Sequence, residues 1–143
     1  MKVAAMLAAK GREVATISQS QSFADAVHML KERRIGALVV TGGFPPLVGI
    51  FSERDVVRAI AEHGAAALTM PVSAFMSPQV TTCTESASAD GLMALMTDQR
   101  IRHVPVIDNN VLVGMISIGD VVKSRLAELE HEKRDLLDYV SAR

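Results

Sequence analysis

A chain of 143 residues that is 49% hydrophobic and 22% charged can bury one compact core and is too apolar to be disordered. Its 15 basic and 16 acidic residues leave a formal charge of −1, against the basic stripe of nucleic-acid binders, and one tyrosine with no tryptophan leaves few stacking platforms. The single cysteine, Cys83, excludes an internal disulfide, no apolar run approaches the roughly 20 residues of a bilayer span, and a cytoplasmic protein is expected.

Met1 to Ala9 carries Lys2 and then small apolar residues. It is too short for a signal peptide, charged Lys10 and Arg12 follow, and it reads as a docking helix. A strand is expected from Val14. Phe23, Ala26, Val27 and Leu30 then fall at i, i+3, i+4 and i+7, one face of a helix, with Ser22 and Asp25 as its N-terminal capping pair. Two short apolar runs, Ala37–Val40 and Leu47–Phe51, flank the turn Gly42-Gly43-Phe44-Pro45-Pro46 and read as buried strands. A helix is expected over Arg54–His63, and the Ala-rich stretch Gly64–Pro71 leads onward.

The grammar then recurs. A strand from Val80 carries Cys83, expected as a buried structural thiol. Ala89, Leu92, Met93 and Met96 repeat the helical phase. Val104–Ile107 and Val111–Ile116 repeat the strand pair around Asp108-Asn109-Asn110, and a helix follows over Gly119–Tyr139. Residue matches agree. At an offset of 66, Val14, Thr16, Ser20, Ser22, Arg34, Ile35 and Val40 meet identical residues at Val80, Thr82, Ser86, Ser88, Arg100, Ile101 and Val106. After one residue is lost in the turn, Leu47, Val48, Gly49, Ser52, Asp55, Val56 and Val57 meet Leu112, Val113, Gly114, Ser117, Asp120, Val121 and Val122.

The fold class is therefore α+β, a tandem repeat of two β-α-β-β-α modules. One copy alone makes a poor core, so the two should pack as a pseudo-two-fold pair, with helical extensions at both ends. The expected boundaries are an N-terminal docking segment over 1–13, repeats over 14–63 and 80–125, a linker over 64–79, and a helical extension over 126–143. In that extension Leu126, Leu129, Leu136, Leu137 and Val140 form an apolar stripe interrupted by Lys133. It reads either as a face packed back on its own domain or as a contact with a second subunit.

One motif occurs in both copies where the last strand meets the last helix: Gly49-Ile-Phe-Ser52-Glu-Arg-Asp55 and Gly114-Met-Ile-Ser117-Ile-Gly-Asp120. Read as local structure alone, each Asp is expected to be a helix N-cap. With its doubling and setting, the pattern resembles the CBS-domain family, named for cystathionine β-synthase, across nearly the whole chain. That resemblance implies a stand-alone, non-catalytic regulatory pair that binds an adenosine nucleotide, AMP, ADP, ATP or NAD(H), and associates into a disc-like homodimer that acts on a further regulated protein. S-adenosylmethionine, or a ligand-free scaffold, is the alternative. A carboxylate at a helix start can accept both hydroxyls of a ribose, and the helix N-terminus favours a phosphate.

Two clefts are implied. One would use Ser52, Arg54 and Asp55 with Met76, Pro78 and Val80 from the opening of the second repeat. The other would use Ser117 and Asp120 with Lys10, Gly11, Arg12 and Val14 from the opening of the first. Arg102 and His103 lie before a Pro-Val strand, as in the family pattern of phosphate-reaching basic residues, where the first repeat has Gly36 and Ala37. Two unequal clefts sharing a phosphate region of Arg54, Arg102 and His103 are expected. The sequence offers no nucleophile–base pair, metal cluster or P-loop, so no enzyme activity and no catalytic cofactor are expected.

Overall fold

The computed structural model describes residues 1–43 and 47–142. The expected turn at Phe44-Pro45-Pro46 and the final residue of the expected extension, Arg143, lie outside the described residues. The elements run α1 (Val3–Lys10), β1 (Thr16–Ser18), α2 (Phe23–Arg33), β2 (Ala37–Thr41), β3 (Gly49–Ser52), α3 (Glu53–His63), α4 (Ala89–Gln99), β4 (His103–Asp108), β5 (Val111–Ser117) and α5 (Ile118–Ser141), with short 3-10 turns at Gly64–Thr69 and Val72–Ala74.

The helix starts follow the expected capping chemistry. Ser22 accepts the N–H of Asp25 at 3.1 Å, and Ser88 accepts that of Gly91 at 3.0 Å. Both helices end on an arginine in the left-handed region, Arg34 at φ 54° and Arg100 at φ 55°. The turn between β4 and β5 puts Asn109 and Asn110 at positive φ, the geometry a two-residue hairpin requires.

The first repeat forms a three-stranded sheet, with β1 parallel to β2 and β2 antiparallel to β3. The second forms only the antiparallel pair β4–β5, and its expected opening strand shrinks to a single parallel bridge, Cys83 to Val106. Proline is the reason. In the first copy the N–H of Val39 donates to Ala15 at 3.0 Å and extends the ladder. Pro105 occupies the equivalent place and has no N–H to give, so the ladder keeps only the bonds Cys83 N–H to Pro105 and Ile107 N–H to Cys83. Cys83 is half-buried, and burial pushes its thiol up to about 11.

Each repeat has its own core, and each completes that core with the segment that opens the other. The first packs Ile17, Phe23, Leu30, Leu38 and Phe51 with Val72 and Phe75 from the linker. Phe23 meets Phe51 and Phe75 edge-on at 5.8 and 5.3 Å. The second packs Leu92, Met96, Val104 and Ile116 with Val3, Met6 and Leu7 of α1. Leu7 fits because Gly114 has no side chain; a Cβ there would lie 2.6 Å from its Cδ2. The crossed exchange brings Lys10 to the second motif and Met76 with Ser77 to the first.

Candidate functional site

Both motifs form the same cap. In the first, the Asp55 carboxylate accepts the Ser52 N–H at 2.8 Å and the Ser52 hydroxyl at 3.3 Å. In the second, Asp120 accepts the Ser117 N–H at 2.8 Å and its hydroxyl at 3.0 Å, and Ser117 takes the Asp120 N–H in return at 3.2 Å. The short Ser-x-x-Asp spacing dictates this much locally. What surrounds each carboxylate differs.

Asp55 is 2% exposed. Its Oδ1 accepts Arg58 Nη2 at 2.9 Å and the Ser77 hydroxyl at 3.5 Å, and Arg58 also donates to the Phe75 carbonyl at 2.9 Å. Backbone pairing closes the gap beside it, with Ile50 and Ser77 exchanging N–H···O bonds of 3.0 and 2.8 Å. Met76 packs against Gly49, whose Cβ would stand 2.7 Å from Met76 Sδ. Pro78 is exposed and Val80 half-buried. Both oxygens of Asp55 are committed within the protein.

Asp120 is half-buried, and Oδ2 carries every one of its bonds among the described residues, including Lys10 Nζ at 2.6 Å. Lys10 also donates to the Met115 carbonyl at 2.9 Å. Met115 is the counterpart of Ile50, so a lysine side chain bridges here where backbone pairing closes the first cleft. Burial works to raise the Asp120 pKa. The Lys10 and Ser117 hydrogen bonds and the Lys10 charge outweigh it and hold the carboxyl below the usual range.

Beside Ser117 and Lys10, the two side-chain partners of Asp120, lies a cavity of about 290 Å³ at the seam between the repeats; Asp120 itself is not in its lining. Val14, Ala15, Ile35, Ala37 and Met115 give it apolar walls; Lys10, Arg34 and His103 give it cations; Ser117 and Glu13 complete the lining with Gly36. The small Gly36 leaves room for the imidazole, since a Cβ there would lie 3.2 Å from His103 Cε1. Burial lowers the His103 pKa, with Glu53 opposing and Lys10 adding to the fall. Of the expected residues, Lys10, Val14, Ser117 and His103 border this cavity. Gly11 and Arg12 do not: Gly11 ends α1 at φ 104°, and Arg12 turns to an ion pair with Glu85.

A second hollow of about 270 Å³ gathers Arg54, Arg100 and Arg102 over Met96, Ile101 and Ile118, with Thr97. Arg54 Nη1 donates to the Arg100 carbonyl at 3.3 Å. Among the described residues none of these three arginines, nor Arg34, has a carboxylate partner. Arg54 and Arg102 therefore come together, with His103 on the neighbouring cavity. Sequence reasoning passed over Arg34 and Arg100, although the repeat alignment had already matched them; their left-handed cap geometry was not visible in it. It also passed over Arg58 and Ser77, whose aligned positions hold Lys123 and Gly11.

The pattern that defines the CBS domain matches residues 10–62 and 72–127. The chain belongs to the CBS-domain family. It is 38% identical over 120 residues to the mitochondrial CBS domain-containing protein CBSX3 of Arabidopsis thaliana, covering 81% of this chain and 58% of that protein, so it spans little more than half of that relative's length. Among solved structures it is similar to the CBS-domain containing protein ATU1752 of Agrobacterium tumefaciens, at 46% identity and TM-score 0.85 over 87% of this chain and 99% of that one. It is also similar to the CBS domain pair of protein MJ0100, solved in complex with 5′-methylthioadenosine and S-adenosyl-L-methionine, at 25% identity and TM-score 0.75 over 88% and 98%. As a CBS pair, the fold is the expected pseudo-two-fold tandem repeat. No helix among the described residues is long and apolar enough to cross a membrane.

Proposed function

We propose that this CBS pair is a cytoplasmic regulatory module, not an enzyme, and that its second cleft binds the adenosyl part of an anionic nucleotide: AMP, ADP, ATP or NAD(H). The observation that carries the reading is Asp120, whose Oδ1 is uncommitted among the described residues and whose partners Ser117 and Lys10 line a cavity together with Arg34 and His103. A ribose diol donates to that carboxylate, the purine lies between Val14, Ala15, Ile35, Ala37 and Met115, and the cations meet the phosphate. Those cations favour a phosphate over the sulfonium of S-adenosylmethionine. The hollow of Arg54, Arg100 and Arg102 extends the anion region for a longer phosphate chain or a second nucleotide half.

Ligand at Asp120 displaces Lys10, which ends α1, so occupancy and the seating of α1 are coupled. Such coupling works as regulation when the ligand prefers one arrangement. A regulated protein reads the difference, and two chains associate into a disc through exposed apolar side chains such as Val57 and Ile60. Calorimetric titration with AMP, ATP, NADH and S-adenosylmethionine tests the reading. Binding of at least one nucleotide, more tightly than S-adenosylmethionine and weakened about 10- to 100-fold in Asp120→Ala, is expected; binding by none overturns it. A scaffold reading draws on the first cleft, where Asp55 is wholly internal, and predicts no ligand in either cleft.

A further inference from the structure

The last helix leaves the domain. Within α5, Val121 and Ser124 are buried and Glu128 is half-buried, but every residue from 131 to 142 is exposed. A helical run that short, with no tertiary contact of its own, is marginal in water. Its apolar residues are not scattered. Val122, Leu126, Leu129, Lys133, Leu136 and Val140 are separated by 4, 3, 4, 3 and 4 residues, alternate a and d positions of a heptad. The five apolar members are 43% to 66% exposed.

We infer that this stripe is the seam of a parallel, two-stranded coiled coil with a second copy of the chain. The flanking charges select the occupant and its direction. With Leu126 at a, Arg125 stands at g and Glu130 at the following e, so in a parallel pair each Arg125 faces Glu130 of the partner subunit. Lys133, at a, has Glu132 of the partner subunit beside it, and its burial opposite its own copy restricts the register, as a single polar a position does. An antiparallel pair that keeps all six layers would instead set Glu130 against Glu130 and Glu132 against Glu132. The seam is independent of the nucleotide cleft and distinct from the disc contact, because it lies largely beyond the residues that pack on the repeats.

Light scattering and sedimentation of the full chain test it. Twice the 15.3 kDa chain mass is expected. Leu129→Glu with Leu136→Glu should weaken self-association by at least about tenfold, the disc contact remaining, and keep the nucleotide isotherm. Lys133→Leu should tighten self-association by at least about tenfold, which a solvated surface lysine would not do. In a Cys83→Ser background, Leu129→Cys should cross-link to its own copy on mild oxidation. A monomeric wild type, or a double glutamate variant that self-associates as tightly as the wild type, overturns the inference; a dimer that does not cross-link at 129 overturns the parallel arrangement. Loss of nucleotide binding with the dimer intact would strike the cleft and leave the seam standing.

Discussion

The two clefts begin from one motif and end in different states. Ser52-x-x-Asp55 and Ser117-x-x-Asp120 make the same cap, yet Asp55 spends both oxygens on Ser52, Arg58 and Ser77, whereas Asp120 spends one on Ser117 and Lys10. The first gap is closed by the Ile50–Ser77 backbone pair and the second by a lysine side chain on Met115. A side-chain bridge can be displaced by a ligand at little cost, while a backbone bridge beside a buried carboxylate resists displacement. The doubled motif thus reports a shared ancestry of structure, and the neighbours decide which copy is free to bind.

Removing each carboxylate separates those roles most strongly. Asp120→Ala should weaken nucleotide binding by about 10- to 100-fold, the worth of charge-assisted hydrogen bonds to the ribose, in the same titration. Asp55→Ala should leave affinity within about twofold but unfold more easily, by about 2 kcal/mol, because it orphans the Ser52 N–H and strands Arg58. That corresponds to a fall in Tm of about 6 °C in a scanning calorimeter. Equal effects of the two substitutions on binding would erase the distinction drawn between the clefts.

The comparison can also be broken from the other side. Arg58→Ala with Ser77→Ala frees Oδ1 of Asp55 without touching the cap. If commitment of that oxygen is what closes the first cleft, calorimetry should show stoichiometry rising from one toward two nucleotides per chain. A stoichiometry that stays at one would place the closure in the Ile50–Ser77 backbone pair and Met76 instead.

Much of this was legible in the chain itself. The repeat, the capped helices and the strand pairs follow from apolar periodicity and turn residues, which act locally. Ser117 was reachable from the doubled motif, and Lys10, Val14 and His103 from the resemblance to the CBS-domain family, which sets the opening of one repeat against the motif of the other. The commitment of Asp55 was not, since Arg58 lies on the far side of one helical turn and Ser77 in a linker, and nothing in either residue type marks a tertiary partner. Pro105 is the instructive middle case: its missing N–H was readable in the sequence, but its consequence appears only once Val39 and Ala15 are seen to pair across the first sheet.

Acidity distinguishes the second cleft more gently. His103 is held neutral by burial, its pKa below the ordinary 6.5. An arriving phosphate raises that pKa, so binding takes up a proton and affinity should increase as pH falls from 8 toward 6, a trend that His103→Gln removes relative to wild type. For folding the sign runs the opposite way. A histidine with a depressed folded pKa contributes fully above about 6.5, and that contribution is lost as pH drops toward its folded value.

The smallest expected effect belongs to the lysine itself. Lys10→Met gives the second cleft the residue that the first has at Met76, and removes the strongest hydrogen bond holding the Asp120 carboxyl below its usual range. The Asp120 pKa, followed by carboxyl-carbon NMR, should climb, since burial then acts with less opposition. A carboxyl with a depressed folded pKa stabilises the fold above its unfolded value and loses that contribution as pH falls through the folded one, so the variant's acid midpoint should move upward. If the Asp120 pKa stays where it is, Ser117 alone sets it, and the lysine at the seam is only a bridge to Met115.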